Sequence, residues 1–278
     1  MARPRSTQPA ERLSKAAIHL ILVLLCFISI FPLYWMVLTS LKPENQLFEI
    51  ALLPRSPTLV NYIDVWSTIP LAHMMNNTVV MSVLVTVAQL LTSILAAYAF
   101  ARWAFWGSRL IFILFVATWL VPFQVTMIPN YILLARLNWL NSMAALVVPQ
   151  LATAFAIVLL RQHMKAFPRE LLDAAEIDGA NSWRILWQLM VPNLRAPLAA
   201  LAILLFISTW NEYFWPILVI RKIENSVVQV GLQMFLTEEG DMWGALMAAS
   251  SLASLPILAI YVVLQRQVIE AFVRSGLK

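Results

Sequence analysis

Arg169 to Pro192 reads RELLDAAEIDGANSWRILWQLMVP. It is the longest conspicuously polar stretch in the second half of a very apolar chain. Apolar runs end near Leu160 before it and resume near Pro197 after it. A helix needs about 20 apolar residues to cross a bilayer core, so the stretch reads as a loop between two spans. Pro168 suits the first turn of a helix, where its missing N–H is not needed. Glu170 and Asp173 then lie near the positive end of the helix dipole. Ala174 and Ala175 are small and permit close approach. The helix is predicted to stop at Asp178-Gly179, because glycine readily takes the left-handed conformation that ends helices. Asn181 or Ser182 caps a second helix. This carries Ile185, Leu186, Leu189 and Met190 on one side, with Trp183 and Trp187 at i,i+4 spacing, and ends before Pro192. A short helix, a tight turn and an amphipathic helix along the membrane surface can dock into a groove on a soluble partner. A linker touching only lipid headgroups satisfies the same composition.

Working outward, six apolar runs read as spans: Ala16–Leu38, Val79–Phe100, Leu110–Ile128 with Pro122 inside it, Met143–Leu160 broken by Pro149, Leu198–Ile220 and Ala245–Leu264. The first run is too long for the 7–15-residue core of a secretory signal and ends in Pro32, Tyr34 and Trp35, so it is expected to stay in the membrane. Thr39–Asn77 reads as a proline-rich polar connector, Tyr131–Ser142 as a short loop and Arg221–Gly244 as a polar loop. The layout is a tail at 1–15, a six-span domain at 16–264 containing a loop at 161–197, and a basic tail at 265–278. Basic residues mark the cytoplasmic side. Arg3, Arg5, Arg12, Lys15, Arg102, Arg109, Arg161, Lys165, Arg169, Arg184, Arg195, Arg266, Arg274 and Lys278 fall on one side. Lys42, Arg55, Arg136, Arg221 and Lys222 fall on the other. Both termini and the 169–192 segment are therefore expected in the cytoplasm.

Of the 278 residues 61% are hydrophobic and 12% charged, half of the roughly 25% charged found in soluble domains. The net charge of +5 is too small and scattered to suggest nucleic acid. Cys26 alone excludes an internal disulfide and a multi-cysteine metal site, and His19, His73 and His163 are far apart. No GxxxxGK phosphate loop occurs. A membrane-embedded enzyme would need acids, histidines or a nucleophile–base pair within the spans, and Glu212 is the only acid there.

Intramembrane polar groups are expensive and often functional. The fifth run holds Thr209, Trp210, Asn211, Glu212 and Tyr213. At 1.5 Å per residue from Leu198, Glu212 lies about 21 Å into a core about 30 Å thick. Trp210, Asn211, Glu212 and Tyr213 are candidates to line a path for a hydroxyl-rich solute, unless Glu212 reaches outward or pairs with another subunit. Gln89, Gln124 and Gln150 either line that path or join helices by hydrogen bonds.

Asp173-Ala174-Ala175, Gly179, Leu189 and Pro192 closely resemble the cytoplasmic loop motif of binding-protein-dependent ABC importer permeases: Glu-Ala-Ala, three residues, Gly, nine residues, Ile-x-Leu-Pro. Asp173 stands for the Glu, Leu189 for the Ile and Val191 for the Leu. FPLYWMVLTSLKP (31–43), NTV (77–79), AAYAFAR (96–102) and TWNEYFWPILV (209–219) resemble the maltose-type carbohydrate class, and within it the smaller, six-span, MalG-like permease. The resemblance implies an all-α polytopic membrane protein of six transmembrane helices with a cytoplasmic coupling helix, the type I importer permease fold. It implies no cofactor in this chain, with ATP and Mg bound by a partner ATPase. It implies as partners a second homologous permease subunit (a heterodimer), two ABC ATPase subunits, an extracytoplasmic solute-binding protein and membrane lipid, in a bacterial or archaeal cytoplasmic membrane. The coupling residues it implies are Asp173, Ala174, Ala175, Glu176, Asp178, Gly179 and Ala180. The loop ending in Glu238, Glu239 and Asp241 is a solvated turn or, by the resemblance, a contact for the binding protein. The cargo implied is a carbohydrate, the alternative another solute such as glycerol 3-phosphate.

Overall fold

In the computed structural model, residues 8–236 and 242–276 are described, and every regular element among them is helical. Arg3, Arg5, Glu238, Glu239, Asp241 and Lys278, named above, lie outside the described residues. The principal helices are α1 (Gln8–Ser40), α2 (Val60–Thr68), α3 (Leu71–Arg102), α4 (Ser108–Trp119), α5 (Phe123–Arg136), α6 (Met143–Val147), α7 (Ala154–Lys165) and α8 (Arg169–Ile177). Then come α9 (Ser182–Arg184), a π-helical stretch (Ile185–Met190) and α10 (Val191–Asn193) without interruption. They are followed by α11 (Arg195–Trp210), α12 (Phe214–Val219), α13 (Val228–Gln233) and α14 (Trp243–Gly276). Ser14–Ser40, Leu71–Arg102 and Trp243–Arg266 are each long and apolar enough to cross a membrane, and three bent helix pairs raise the count to six.

Prolines explain most departures from the expected spans. The run expected at Leu110–Ile128 is not one helix: α4 and α5 meet at 95°. Pro122 disfavours helical backbone at Val121 and stands at the N-cap of α5. The helix then continues to Arg136, across half of the expected loop. Around Pro149 the chain bends by 44°, as a broken span requires, but α7 extends to Lys165. The run expected at Leu198–Ile220 is also two helices, because the ring of Pro216 collides with the carbonyl four residues back, at Glu212, and supplies no N–H. The chain leaves the helix at Asn211 and re-enters it at Phe214. The second span starts at Leu71 and not at Val79, and α14 continues into the expected tail.

The chain divides into two compact units. One comprises residues 1–68 and 235–252. In it the expected polar connector is folded around Asn61, whose side-chain N–H groups donate to Ser40 O and Lys42 O, both at 2.8 Å. The Ser40 hydroxyl meets the Tyr62 hydroxyl at 2.8 Å. Lys42, read from sequence as an ordinary outer cation, is buried; its ammonium donates to Glu49 O at 2.8 Å and lies 4.8 Å from the centre of the Trp35 ring.

The other unit comprises residues 69–234 and 253–278. Its central helix is α3. One side of α3 buries Thr78, Ser82, Thr86, Gln89, Ser93 and Ala97, the small and polar residues that let membrane helices approach closely. Two apolar clusters form along it. Met81 and Val85 join Leu134, Leu146, Trp215, Val219 and Val227. Further along, Ile94, Ala97 and Tyr98 join Leu160, Leu172, Ile185, Leu186, Met190 and Leu201. Val227 and Val228 are fully buried, so this part of the expected polar loop is core and not a solvated turn.

A side chain at Gly244 would meet the Asn61 carboxamide. Gly244→Ala is expected to push that group off its two carbonyls and lower stability by about 1–3 kcal/mol. Thermal unfolding in detergent checks this. Because both changes act through one contact, the double variant Asn61→Ala/Gly244→Ala should be little worse than Asn61→Ala alone; additive losses overturn the assignment.

Candidate functional site

The 169–192 segment folds largely as its local chemistry dictates. Pro168 is the N-cap of α8 and Glu170 lies in the first turn. The helix closes in a Schellman arrangement: Ala180 N–H donates to Ala175 O at 2.9 Å and Gly179 N–H to Glu176 O at 3.0 Å. Gly179 has φ +80°. The Asn181 side chain accepts from Arg184 N–H at 2.9 Å, capping the second helix. That helix does not end before Pro192. It widens into the π-helical stretch Ile185–Met190 and runs to Asn193, whose side chain recovers the Leu189 carbonyl at 2.7 Å. At Leu194 the axis turns by 79° into α11.

The seven predicted coupling residues divide between two faces of this unit. Leu172 is buried, and Ala175 and Ala180 pack against the Tyr98–Leu160–Leu186 cluster. Ala174, Asp178 and Gly179 are exposed. Asp173 lines a cavity of about 370 Å³ behind α8, together with Tyr98, Arg102, Lys165 and Arg169. Glu176 forms an ion pair with Arg102, the last residue of α3. Thus Ala175 and Ala180 hold the helix in place, whereas the free surface is Leu171, Ala174, Ile177 and Asp178.

Sequence reasoning passed over Leu171, Ile177 and Arg102. Ile177 is 86% exposed, an unusual position for a large aliphatic side chain on an otherwise polar helix. The signal available was the spacing of Leu171, Ala174 and Ile177, three apart along one side of α8. Beside them Trp183 is exposed, with its ring edge-on to Trp187 at 5.6 Å.

The candidate pathway residues lie around the break between α11 and α12. Trp210 is fully buried and stacked on Phe206 at 5.6 Å. Asn211 is exposed, and its oxygen accepts from Gln229 at 3.2 Å. The Glu212 carboxylate accepts from Trp215 N–H at 3.2 Å, restoring a partner to the first turn of α12. Tyr213 is half-buried and edge-on to Phe214. Trp215 is anchored by its indole N–H to Ala145 O at 2.8 Å. Gln89 is buried and donates to Gln150 O at 2.8 Å, joining α3 to the break before α7. Gln124 is exposed on α5, apart from this cluster. Among the described residues no group of three or more His, Cys, Asp or Glu could hold a metal ion.

The family described as "Binding-protein-dependent transport system inner membrane component" matches residues 54–273. The chain is 32% identical to the arabinooligosaccharides transport system permease protein of Halalkalibacterium halodurans, over 91% of this chain and 93% of that protein. It is 30% identical to the lactose transport system permease protein of Rhizobium radiobacter, over 95% and 97%. It is 32% identical to the sn-glycerol-3-phosphate transport system permease protein of Yersinia enterocolitica, over 92% and 95%. A chain in the crystal structure of a bacterial ABC transporter involved in the import of the acidic polysaccharide alginate superposes with a TM-score of 0.79. It is 23% identical, and the match covers 96% of this chain and 99% of that one.

The two faces of α8 are distinguishable by labelling. With Cys26 replaced by serine, cysteine introduced at Ala174 or Ile177 should react with a soluble maleimide about tenfold faster than cysteine at Ala175 or Ala180. Equal rates at all four positions overturn the assignment of faces.

Proposed function

We propose, from the premise that this chain belongs to the binding-protein-dependent inner membrane component family and is a permease subunit of an ATP-driven ABC importer rather than an enzyme, that its cargo is a carbohydrate. Support comes from relatives that carry arabinooligosaccharides and lactose. The relatives for sn-glycerol 3-phosphate are equally similar and favour a second reading, a polyol phosphate. That anion would want cationic partners, and Ala196–Ile220 contains no lysine or arginine. Asn211, Glu212 and Tyr213 at the α11–α12 break supply hydrogen-bonding groups and one aromatic face, which suit a neutral sugar. Trp210 borders that path from within the core.

The reading of the 169–193 segment as the coupling element rests on one observation. A short helix with an exposed, apolar and small outer face is sealed by its inner face to the ends of α3, α7 and α11. The outer face, Leu171, Ala174, Ile177 and Asp178, enters a cleft of an ATPase subunit. That subunit binds the ATP and Mg. Ala175 and Ala180 pack the element onto the spans, Arg102 and Glu176 tie it to α3, Gly179 closes the turn between its two helices, and Asp173 lines the cavity behind it. A rigid-body displacement of α8 then passes into three helices. The segment and both termini face the cytoplasm of a bacterial or archaeal cell. The 16–264 region forms half of a translocation pathway, a second, different permease subunit supplies the other half, and a solute-binding protein delivers cargo outside.

Affinity purification in mild detergent should recover the second permease, an ATPase and a binding protein; recovery of the chain alone after crosslinking from Ala174 overturns the assembly. Gly179→Pro cannot adopt φ +80° and is expected to abolish transport and stimulated ATP hydrolysis with membrane insertion intact. Arg102→Glu should lower transport per ATP about tenfold, the size of a coupling change of 1–2 kcal/mol, and Arg102→Glu/Glu176→Arg should restore it. Normal coupling in Gly179→Pro, or no rescue by the exchange, removes the corresponding part of the proposal.

A further inference from the structure

A second cavity, of about 550 Å³, opens between the start of α4 and the end of α7. Its polar lining is Ser108, Arg109, Arg161 and Lys165. Three cations therefore face one space. Among the described residues no carboxylate lies within ion-pairing distance of any of them, the ion pairs there being Arg55–Glu49 and Arg102–Glu176. Arg161 is held in position. Its Nε–H donates to Phe100 O at 3.2 Å, and its guanidinium lies 3.9 Å from the centre of the Phe112 ring. The fork is thereby fixed while its charge remains uncompensated.

The rest of the lining is apolar, Phe100, Phe112 and Ile113. Phe100 packs edge-on against Phe112 at 5.5 Å and Phe115 at 5.9 Å. On α4 the apolar surface continues over Leu110, Ile113 and Leu114, each more than half exposed. A cationic mouth thus leads directly onto an apolar wall at the end of a membrane span. Like charges gathered without a counter-charge are costly unless an anion joins them, and a basic pocket between spanning helices suits an anionic headgroup.

We propose that this cavity binds an anionic phospholipid. The phosphate is taken by Arg109, Arg161 and Lys165, with Ser108 offering a hydroxyl, and one acyl chain lies along Ile113 and Leu114. Free inorganic phosphate shares the headgroup chemistry but makes no use of the apolar wall. The site depends on the spanning assignment of α4 and α7 and is independent of the coupling role given to α8.

Native mass spectrometry of the full chain in mild detergent tests the proposal, with dioleoyl phosphatidylglycerol, dioleoyl phosphatidylcholine and inorganic phosphate as separate probes. Phosphatidylglycerol should be retained about a hundredfold more than phosphatidylcholine, and each neutralised cation should reduce that preference about fivefold. The variants are Arg161→Gln and, leaving the Phe100 and Phe112 contacts untouched, Arg109→Gln/Lys165→Gln. Retained secondary structure and monodispersity show that either variant is folded; the second decides should Arg161→Gln fail to fold. Equal retention of the two lipids, or an undiminished preference in Arg109→Gln/Lys165→Gln, overturns the site. Inorganic phosphate that displaces phosphatidylglycerol at equal concentration makes it a free-anion site and overturns the lipid assignment.

Discussion

Leu172, Ile185, Leu186 and Met190 bring the inner face of the 169–193 segment onto Ile94, Ala97, Tyr98, Leu160 and Leu201, and this apolar contact fastens that otherwise polar segment to the helices. Fully burying one such aliphatic side chain contributes about 1.5–3 kcal/mol. The Arg102–Glu176 pair has its carboxylate half exposed, and such pairs contribute about 0–1 kcal/mol. The apolar seal therefore supplies the attachment, and the ion pair supplies direction by fixing which turn of α8 meets the end of α3. Internal stiffness comes from elsewhere. The Schellman turn at Ala175–Ala180 and the Asn181 cap take up the free backbone groups between the two helices. A segment with soft joints would absorb a push, whereas one closed by these bonds transmits it.

Those joints were legible in the sequence because they obey local rules. Gly179 was expected to end a helix and has φ +80°; Asn181 or Ser182 was expected to cap the next, and Asn181 does. The choice of face was not legible. Ala174 and Ala175 are adjacent, alike in size and composition, and only the position of α3 and α7 decides that one is free and the other packed. Arg102 lies 74 residues from Glu176, beyond the reach of any spacing argument. The same limit hid Asn61 and Lys42, whose roles depend on carbonyls and a ring presented by residues distant along the chain.

The broken spans show a different limit. Counting apolar residues measures transfer into lipid and says nothing of the backbone. Pro122 and Pro216 sit in runs as hydrophobic as any other, yet each stops its helix. In hydrocarbon an unpaired backbone group costs several kcal/mol, so a break requires replacement partners. At the α11–α12 break Glu212 N–H reaches Thr209 O, and the Glu212 carboxylate receives Trp215 N–H. The polar residues that looked like pathway candidates also repair the break that Pro216 causes. The two roles are compatible, since repair fixes the orientation of groups that a solute would meet.

Lys165 connects the two ends of this picture. As the last residue of α7 it lines both the cavity behind α8, which Asp173 shares, and the cationic cavity beside α4. On the proposal that an anion is held at Arg161, Lys165 is the residue through which that site would adjoin the cavity behind α8. Linkage then makes the coupling reciprocal: whatever a shift of α8 does to headgroup affinity, headgroup occupancy does to α8. Two unit charges about 10 Å apart interact by about 1.7 kcal/mol at an effective dielectric of 20, less once salt screens them. Moving a two-state equilibrium from one extreme to the other takes about 5.5 kcal/mol. On the proposals made above, a lipid bound here would bias the resting position of α8 by severalfold, and an interaction of that size falls short of what a full displacement requires.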